Sequence, residues 1–286
     1  MEIPLGVLFG IIAMLGWGTA DFFAAKAVRK GGVYKTLFWN QFIGTIVILP
    51  IFLAFEKVSL FSFSTLGILL FSNILGIIAY FALYKGLQIG KVSIVSPITA
   101  CWAIVVVLLS LVIFNESLKP AQIFGISLAI GGVVLTSFKM RDIIKLKLEH
   151  TINGVKYGIV ALLGFGISIF VVSILVARLG WLYQLMLMRL VTVSLLFVHS
   201  RMSNTSLLFP KNVALFVVIL GILEVIGFSS YSIGVSFEFT SIVAPVAAAF
   251  PMVTVILARI FLKELMEINQ KIGVGSVIAG LILLSL

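Results

Sequence analysis

Apolar residues gather along this chain into ten blocks parted by short polar or basic stretches. They cover residues 5–27, 34–54, 65–88, 92–114 and 121–138, then 154–177, 181–199, 212–236, 240–262 and 271–286. A helix needs about 20 residues to cross a hydrocarbon core roughly 30 Å thick, and the blocks are of that order. Barrel strands would alternate over segments of about ten residues instead. A spanning backbone must satisfy its own hydrogen bonds, which leaves helices as the reading of runs this long. The pattern predicts an all-α integral membrane protein with ten transmembrane helices, and the short connections make neighbouring helices antiparallel.

The pattern also repeats, at an offset of 148 residues. That shift carries Gly6, Gly10, Gly16, Gly18, Gly32, Gly86, Gly125 and Gly132 onto Gly154, Gly158, Gly164, Gly166, Gly180, Gly234, Gly273 and Gly280. Chance alone would align roughly one such glycine pair. Pro97 falls on Pro245, Glu116 on Glu264 and Gln122 on Gln270, without a gap. The chain therefore divides into a first five-helix repeat over 1–138, a basic linker over 139–153 and a second repeat over 154–286. Five crossings is an odd number, so the second repeat is expected to enter the membrane from the opposite side, giving two inverted repeats.

Composition narrows the setting. The chain is 62% hydrophobic and 10% charged, with mean hydropathy +1.27, too little polar surface for a water-soluble fold of 286 residues. A cleaved leader is not expected, because the first apolar run is long and Lys26 is the first basic residue. Cys101 is the single cysteine, so no disulfide forms within the chain. The net charge of +10 does not point to nucleic acid, since the basic residues lie mainly at helix ends. Sixteen of the 20 Lys and Arg fall on one face of the membrane under the inverted reading, in and around the connections after helices one, three, five, seven and nine. The other face holds Lys57, Lys119, Arg178 and the deep Arg189. The positive-inside rule makes the richer face cytoplasmic and places both termini outside a cell membrane.

Short motifs carry a further likeness. Leu15-Gly16-Trp17-Gly18, the stretch from Ser93 through Pro97 to Asn115-Glu116-Ser117-Leu118, then Gln122, Gly125 and Gly131-Gly132-Val133, resemble the repeat unit of the EamA family of the drug/metabolite transporter superfamily. Leu163-Gly164-Phe165-Gly166, Ser241 to Pro245, Lys263-Glu264-Leu265, Gln270, Gly273 and Gly280 repeat it. The resemblance implies a ten-helix carrier of small metabolites with a cavity between the halves. It also implies cytoplasmic termini and a basic connection between helices two and three, against the charge count, and that connection here offers only Lys57. Phe165 stands where the motif favours Trp.

Candidate chemistry lies inside the apolar blocks, where an ionisable group costs about 3 kcal/mol or more to place. Arg189 and Glu224 sit at similar depth on consecutive helices and are expected to interact beside a central cavity. Asp21 is shallower and is expected to pair with Lys26 or Lys85 near the interface. Trp17, Gln41, Asn73, Tyr80, Tyr84, Thr99, Trp102, Ser229 and Tyr231 are the further substrate-binding candidates. Asn73, Tyr80 and Tyr84 fall along one helical face as a polar stripe. Pro97 and Pro245 each remove a helical hydrogen bond and are the candidate hinges, with Pro251 expected to add a second break in helix nine only. Gly6 and Gly10 have the spacing that lets helix backbones approach closely. No His, Cys or carboxylate set has metal-ligand or triad spacing, so neither an enzyme nor a metal or other cofactor is expected.

The expectation is a secondary transporter that moves a small metabolite, an amino-acid-like or other small polar or amphipathic solute, by alternating access between the two repeats. Its partners are that substrate, the lipid bilayer and coupled protons or other ions, with no nucleic acid. The alternatives are a flippase for a lipid-linked substrate and a structural membrane subunit that transports nothing.

Overall fold

A computed structural model describes residues 3–57, 61–89, 95, 98–140, 148–261 and 265–285, without the side chains of residues 25, 26, 29, 87–89, 148–154 and 258. Among the described residues there are helices and no strands. They are α1 (Leu5–Gly31), α2 (Val33–Phe55), α3 (Phe63–Ile89), α4 (Trp102–Ile113) and α5 (Pro120–Thr136) in the first half. The second half has α6 (Leu148–Leu179), α7 (Trp181–Met202), α8 (Ala214–Phe237), α9 (Thr240–Ala248), α10 (Phe250–Phe261) and α11 (Ile268–Leu284). Among the described residues seven helical segments are long and apolar enough to cross a membrane, α9 and α10 counting as one, and three more apolar helices are shorter. The protein is a multi-pass membrane protein with a two-repeat layout. Its outer surface is apolar, with Phe55 and Phe63 among the most exposed side chains, and lipid is what covers such a surface.

The two halves interleave. α1 packs along α8 and its repeat-equivalent α6 packs along α3. In the first pair Phe9 stacks on Phe237, Gly16 faces Gly227 and Phe23 stacks on Phe216, so the helices run antiparallel. In the second, Ser72 bonds Ser168, Ala79 faces Gly164 and Gly86 faces Tyr157. Equivalent helices also meet each other. α2 and α7 run antiparallel through Tyr34–His199, Gln41–Arg189 and Phe52–Tyr183. α5 and α11 do so through Gly125–Gly280 and Gly132–Gly273.

Matched local devices bring the chain round. Gly32 (φ +83°) joins α1 to α2 and Gly180 (φ +79°) joins α6 to α7. Both take a backbone conformation that favours glycine, which permits a one-residue connection between long helices. The side-chain oxygen of Gln122 accepts the Lys119 N–H at 2.9 Å, and that of Gln270 accepts the Glu267 N–H at 3.1 Å, capping α5 and α11 alike.

The fourth apolar segment of each half is interrupted, and the break after α9 is matched by one in the first half at the equivalent position. Cys101 N–H donates to Ile98 O at 3.2 Å and Ile104 N–H to Cys101 O at 3.0 Å, in tightened three-residue spacing. The equivalent bonds, Ala249 N–H to Val246 O and Met252 N–H to Ala249 O, are 3.2 and 3.0 Å. Pro251, in the first turn of α10, cannot be the common cause, since its counterpart is Ala103. Pro245 lies inside α9, buried, and Pro97 lies outside the described residues. Of the smaller differences, α6 starts at Leu148 rather than 154, and a 3₁₀ turn over Lys211–Val213 precedes α8.

Candidate functional site

Where the halves meet, two small cavities lie side by side. The first, of about 50 Å³, is bordered by α1, α3, α6, α8, Thr99, Trp102 at the start of α4, and Phe250 at the start of α10. The second, of about 40 Å³, reaches toward α2 and α7. Tyr80, Phe165, Ile169 and Phe228 line both. A water needs about 10–15 Å³ by this kind of measure, so each space takes a few waters in this conformation.

The walls of the first cavity are built from repeat-equivalent positions. Trp17 and Phe165, Asp21 and Ile169, Tyr80 and Phe228, and Trp102 and Phe250 are each 148 apart, and all eight border it. Residues that the repeat makes equivalent thus converge on one space. The polar groups break the symmetry. Asp21 faces an Ile counterpart, Thr99 corresponds to Ala247, and Glu224 corresponds to Gly76.

Glu224, 4% exposed, holds its carboxylate between the halves and accepts from the Tyr80 hydroxyl at 3.1 and 3.3 Å. Arg189 does not pair with it directly. The guanidinium is fully buried and donates through Nη1 to Gln41 Oε1 at 2.6 Å, while lying 5.5 Å over the Phe228 ring. Gln41 is the repeat counterpart of Arg189, so one polar contact joins two equivalent positions. Arg189 Nε and Nη2 have no partner among the described residues, nor do both side-chain polar atoms of Asn40, one residue before Gln41.

The other candidates are placed as follows. Trp17, Thr99 and Trp102 border the first cavity, and Gln41 and Asn73 the second. Asn73 accepts from Thr192 at 2.6 Å and donates to Leu69 O at 2.7 Å. Tyr84 is buried beside Tyr80, ring to ring at 5.8 Å. Tyr231 is buried behind Trp17, 5.8 Å from its ring, with its hydroxyl 3.4 Å from that of Ser173. Ser229 is half-buried and borders neither cavity. Asp21 is a residue that sequence reasoning placed at the interface and that instead shares a cavity with Glu224; the Lys26 side chain lies outside the described residues. Phe165, Phe228 and Phe250 were also missed, although the repeat offset applied to Trp17, Tyr80 and Trp102 points to them. Among the described residues no group of three His, Cys, Asp or Glu could hold a metal ion.

The model of the EamA-like transporter family matches residues 4–138 and again residues 152–286. The chain belongs to the EamA-like transporter family. The family is one of membrane transporters, and the double match coincides with the two interleaved halves. The chain is also similar to an uncharacterized protein of Methanocaldococcus jannaschii, 29% identical over 131 residues that cover 46% of this chain and 95% of that protein. A solved crystal structure shares the fold of this EamA-like protein, with a TM-score of 0.79, 18% identity, and coverage of 100% of this chain and 99% of that one.

Proposed function

We propose that this protein is a secondary carrier of a small polar or amphipathic metabolite. In this reading ten helices cross the membrane as two inverted five-helix repeats, 1–138 and 154–286 about a basic linker, and work by alternating access. The observation that carries it is the cavity lined by repeat-equivalent pairs. If the halves exchange conformations, the same walls open first to one side and then to the other. The antiparallel contact of equivalent helices, α2 with α7 and α5 with α11, supports the inversion. The chain has no nucleotide-binding motif, so the solute gradient or coupled ions drive movement.

The interruptions at Cys101 and Ala249 border the site, one residue before Trp102 and Phe250, and Pro97 and Pro245 are the proposed hinges of those two crossings. Vesicles reconstituted with the full chain and screened with labelled metabolites should take up at least one class faster than empty vesicles. In a Cys101→Ala background, a cysteine at Leu83 should react with an impermeant maleimide from either side. Pro245→Ala should slow uptake while expression holds. Labelling from one side only would rule out alternating access, and a folded protein with no flux would leave the structural-subunit reading.

A further inference from the structure

We infer that the cavity between the halves selects a solute with one cationic head on an apolar or aromatic body. This rests on the carrier reading and names the substrate class of the same site. Among the described residues 11 border the first cavity: six are aromatic, two are the carboxylates Asp21 and Glu224, and none is Lys, Arg or His. Aromatic faces attract cations, most strongly where water is excluded. Thr99 Oγ1 lies on the same wall, 4% exposed and without a partner among the described residues, and supplies a hydroxyl to an occupant.

Charge accounting then separates the solute classes. Arg189 stands behind Phe228 with Nη1 held by Gln41, so it belongs to the wall and not to the lining. With both carboxylates ionised, Asp21, Glu224 and Arg189 together carry one net negative charge. A bound monocation, or a proton standing in for it, brings that sum to zero. A zwitterion leaves it unbalanced, and an anion doubles it. In a water-poor site between membrane helices, unbalanced charge is the larger penalty. At about 50 Å³ the cavity admits only water-sized occupants as it stands, so such a solute enters as the halves part.

The test uses the purified full chain in lipid nanodiscs at neutral pH and four ligands sharing a phenyl ring: 2-phenylethylammonium, 2-phenylethanol, 3-phenylpropionate and L-phenylalanine. Calorimetric titration should show saturable binding of the ammonium about tenfold or more tighter than the alcohol, the scale of a desolvated cation–π contact plus an ion pair. The carboxylate and the zwitterion should bind no tighter than the alcohol. Asp21→Asn and Glu224→Gln should each shrink the ammonium's advantage and leave the alcohol unchanged. Equal binding of all four, preference for L-phenylalanine or 3-phenylpropionate, or no saturable binding of the ammonium would overturn the inference. Vesicle uptake of a different solute class would leave the carrier reading standing while this one falls. Cation-selective binding without flux would do the reverse.

Discussion

Arg189 is the residue whose environment is most demanding, because a fully buried guanidinium retains one described hydrogen bond, to its own repeat counterpart. Removing that acceptor leaves a charged donor buried and unpaired, which costs about 1–3 kcal/mol or more. Gln41→Ala should therefore lower stability by about 1–3 kcal/mol in denaturant titrations of the solubilised protein. In double-mutant cycles the coupling of Arg189 with Gln41 should exceed that of Arg189 with Glu224, whose carboxylate is bound by Tyr80. A larger coupling to Glu224 would mean that depth along the helices, which first pairs these two charges on paper, describes their energetics better than the hydrogen bonds do. Individual residues were partly legible. Buried charge marked Arg189 and Glu224, since nothing else explains an ionisable group in an apolar run. Asp21 was misplaced because distance along one helix says nothing about which helices close over it. The cavity phenylalanines escaped because a search for identical residues passes over positions where the copies differ, and an asymmetric site differs at its working positions.

At the scale of helices, glycine decides which pairs approach closely. A Cβ on Gly132 would lie 2.6 Å from Gly273 O and 2.7 Å from Val277 N, backbone atoms that cannot swing aside. Gly131, its neighbour, has nothing within 4 Å of such an atom. Gly132→Ala should thus push α5 from α11 and destabilise the protein by about 1–3 kcal/mol, the range for overpacking. Gly131→Ala should be neutral or stabilising by up to about 1 kcal/mol, because alanine lowers the entropy lost in forming a helix. Similar melting shifts for both variants would show that this crossing is not closely packed in the membrane. Most helices could be read from the sequence to within a few residues, since apolar runs and the glycines at Gly31-Gly32 and Gly180 punctuate them. The exact positions of the interruptions could not. Neither Cys101 nor Ala249 is a helix breaker, and tertiary packing around Trp102 and Phe250 has no local signature. Glu116 shows the same limit: its carboxylate accepts the Thr240 and Ser241 N–H groups, both at 2.9 Å, tying α9 to the other half across 124 and 125 residues.

For the whole molecule the open question is which face meets the cytoplasm, and two physical inputs pull apart. Family resemblance implies cytoplasmic termini, whereas 16 of the 20 basic residues lie on the face opposite the termini in the ten-helix reading. That reading needs an even number of crossings, which returns the C-terminus to the side of the N-terminus, and it places the basic linker 139–153 on the other side. Orientation is set during insertion by Lys and Arg in short loops close to the helix ends, and the linker with Lys139, Arg141, Lys145 and Lys147 is such a loop. The rule acts on this chain's own charges, while the family argument carries over by analogy. Reporter fusions after Leu286 should accordingly show an extracytoplasmic C-terminus, active for a reporter that folds only outside and silent for one that needs the cytoplasm. Replacing those four linker residues with Asn or Gln should weaken the preference and yield a mixed population. A C-terminus found inside, unmoved by the linker substitutions, would show that signals other than these basic residues fix the orientation.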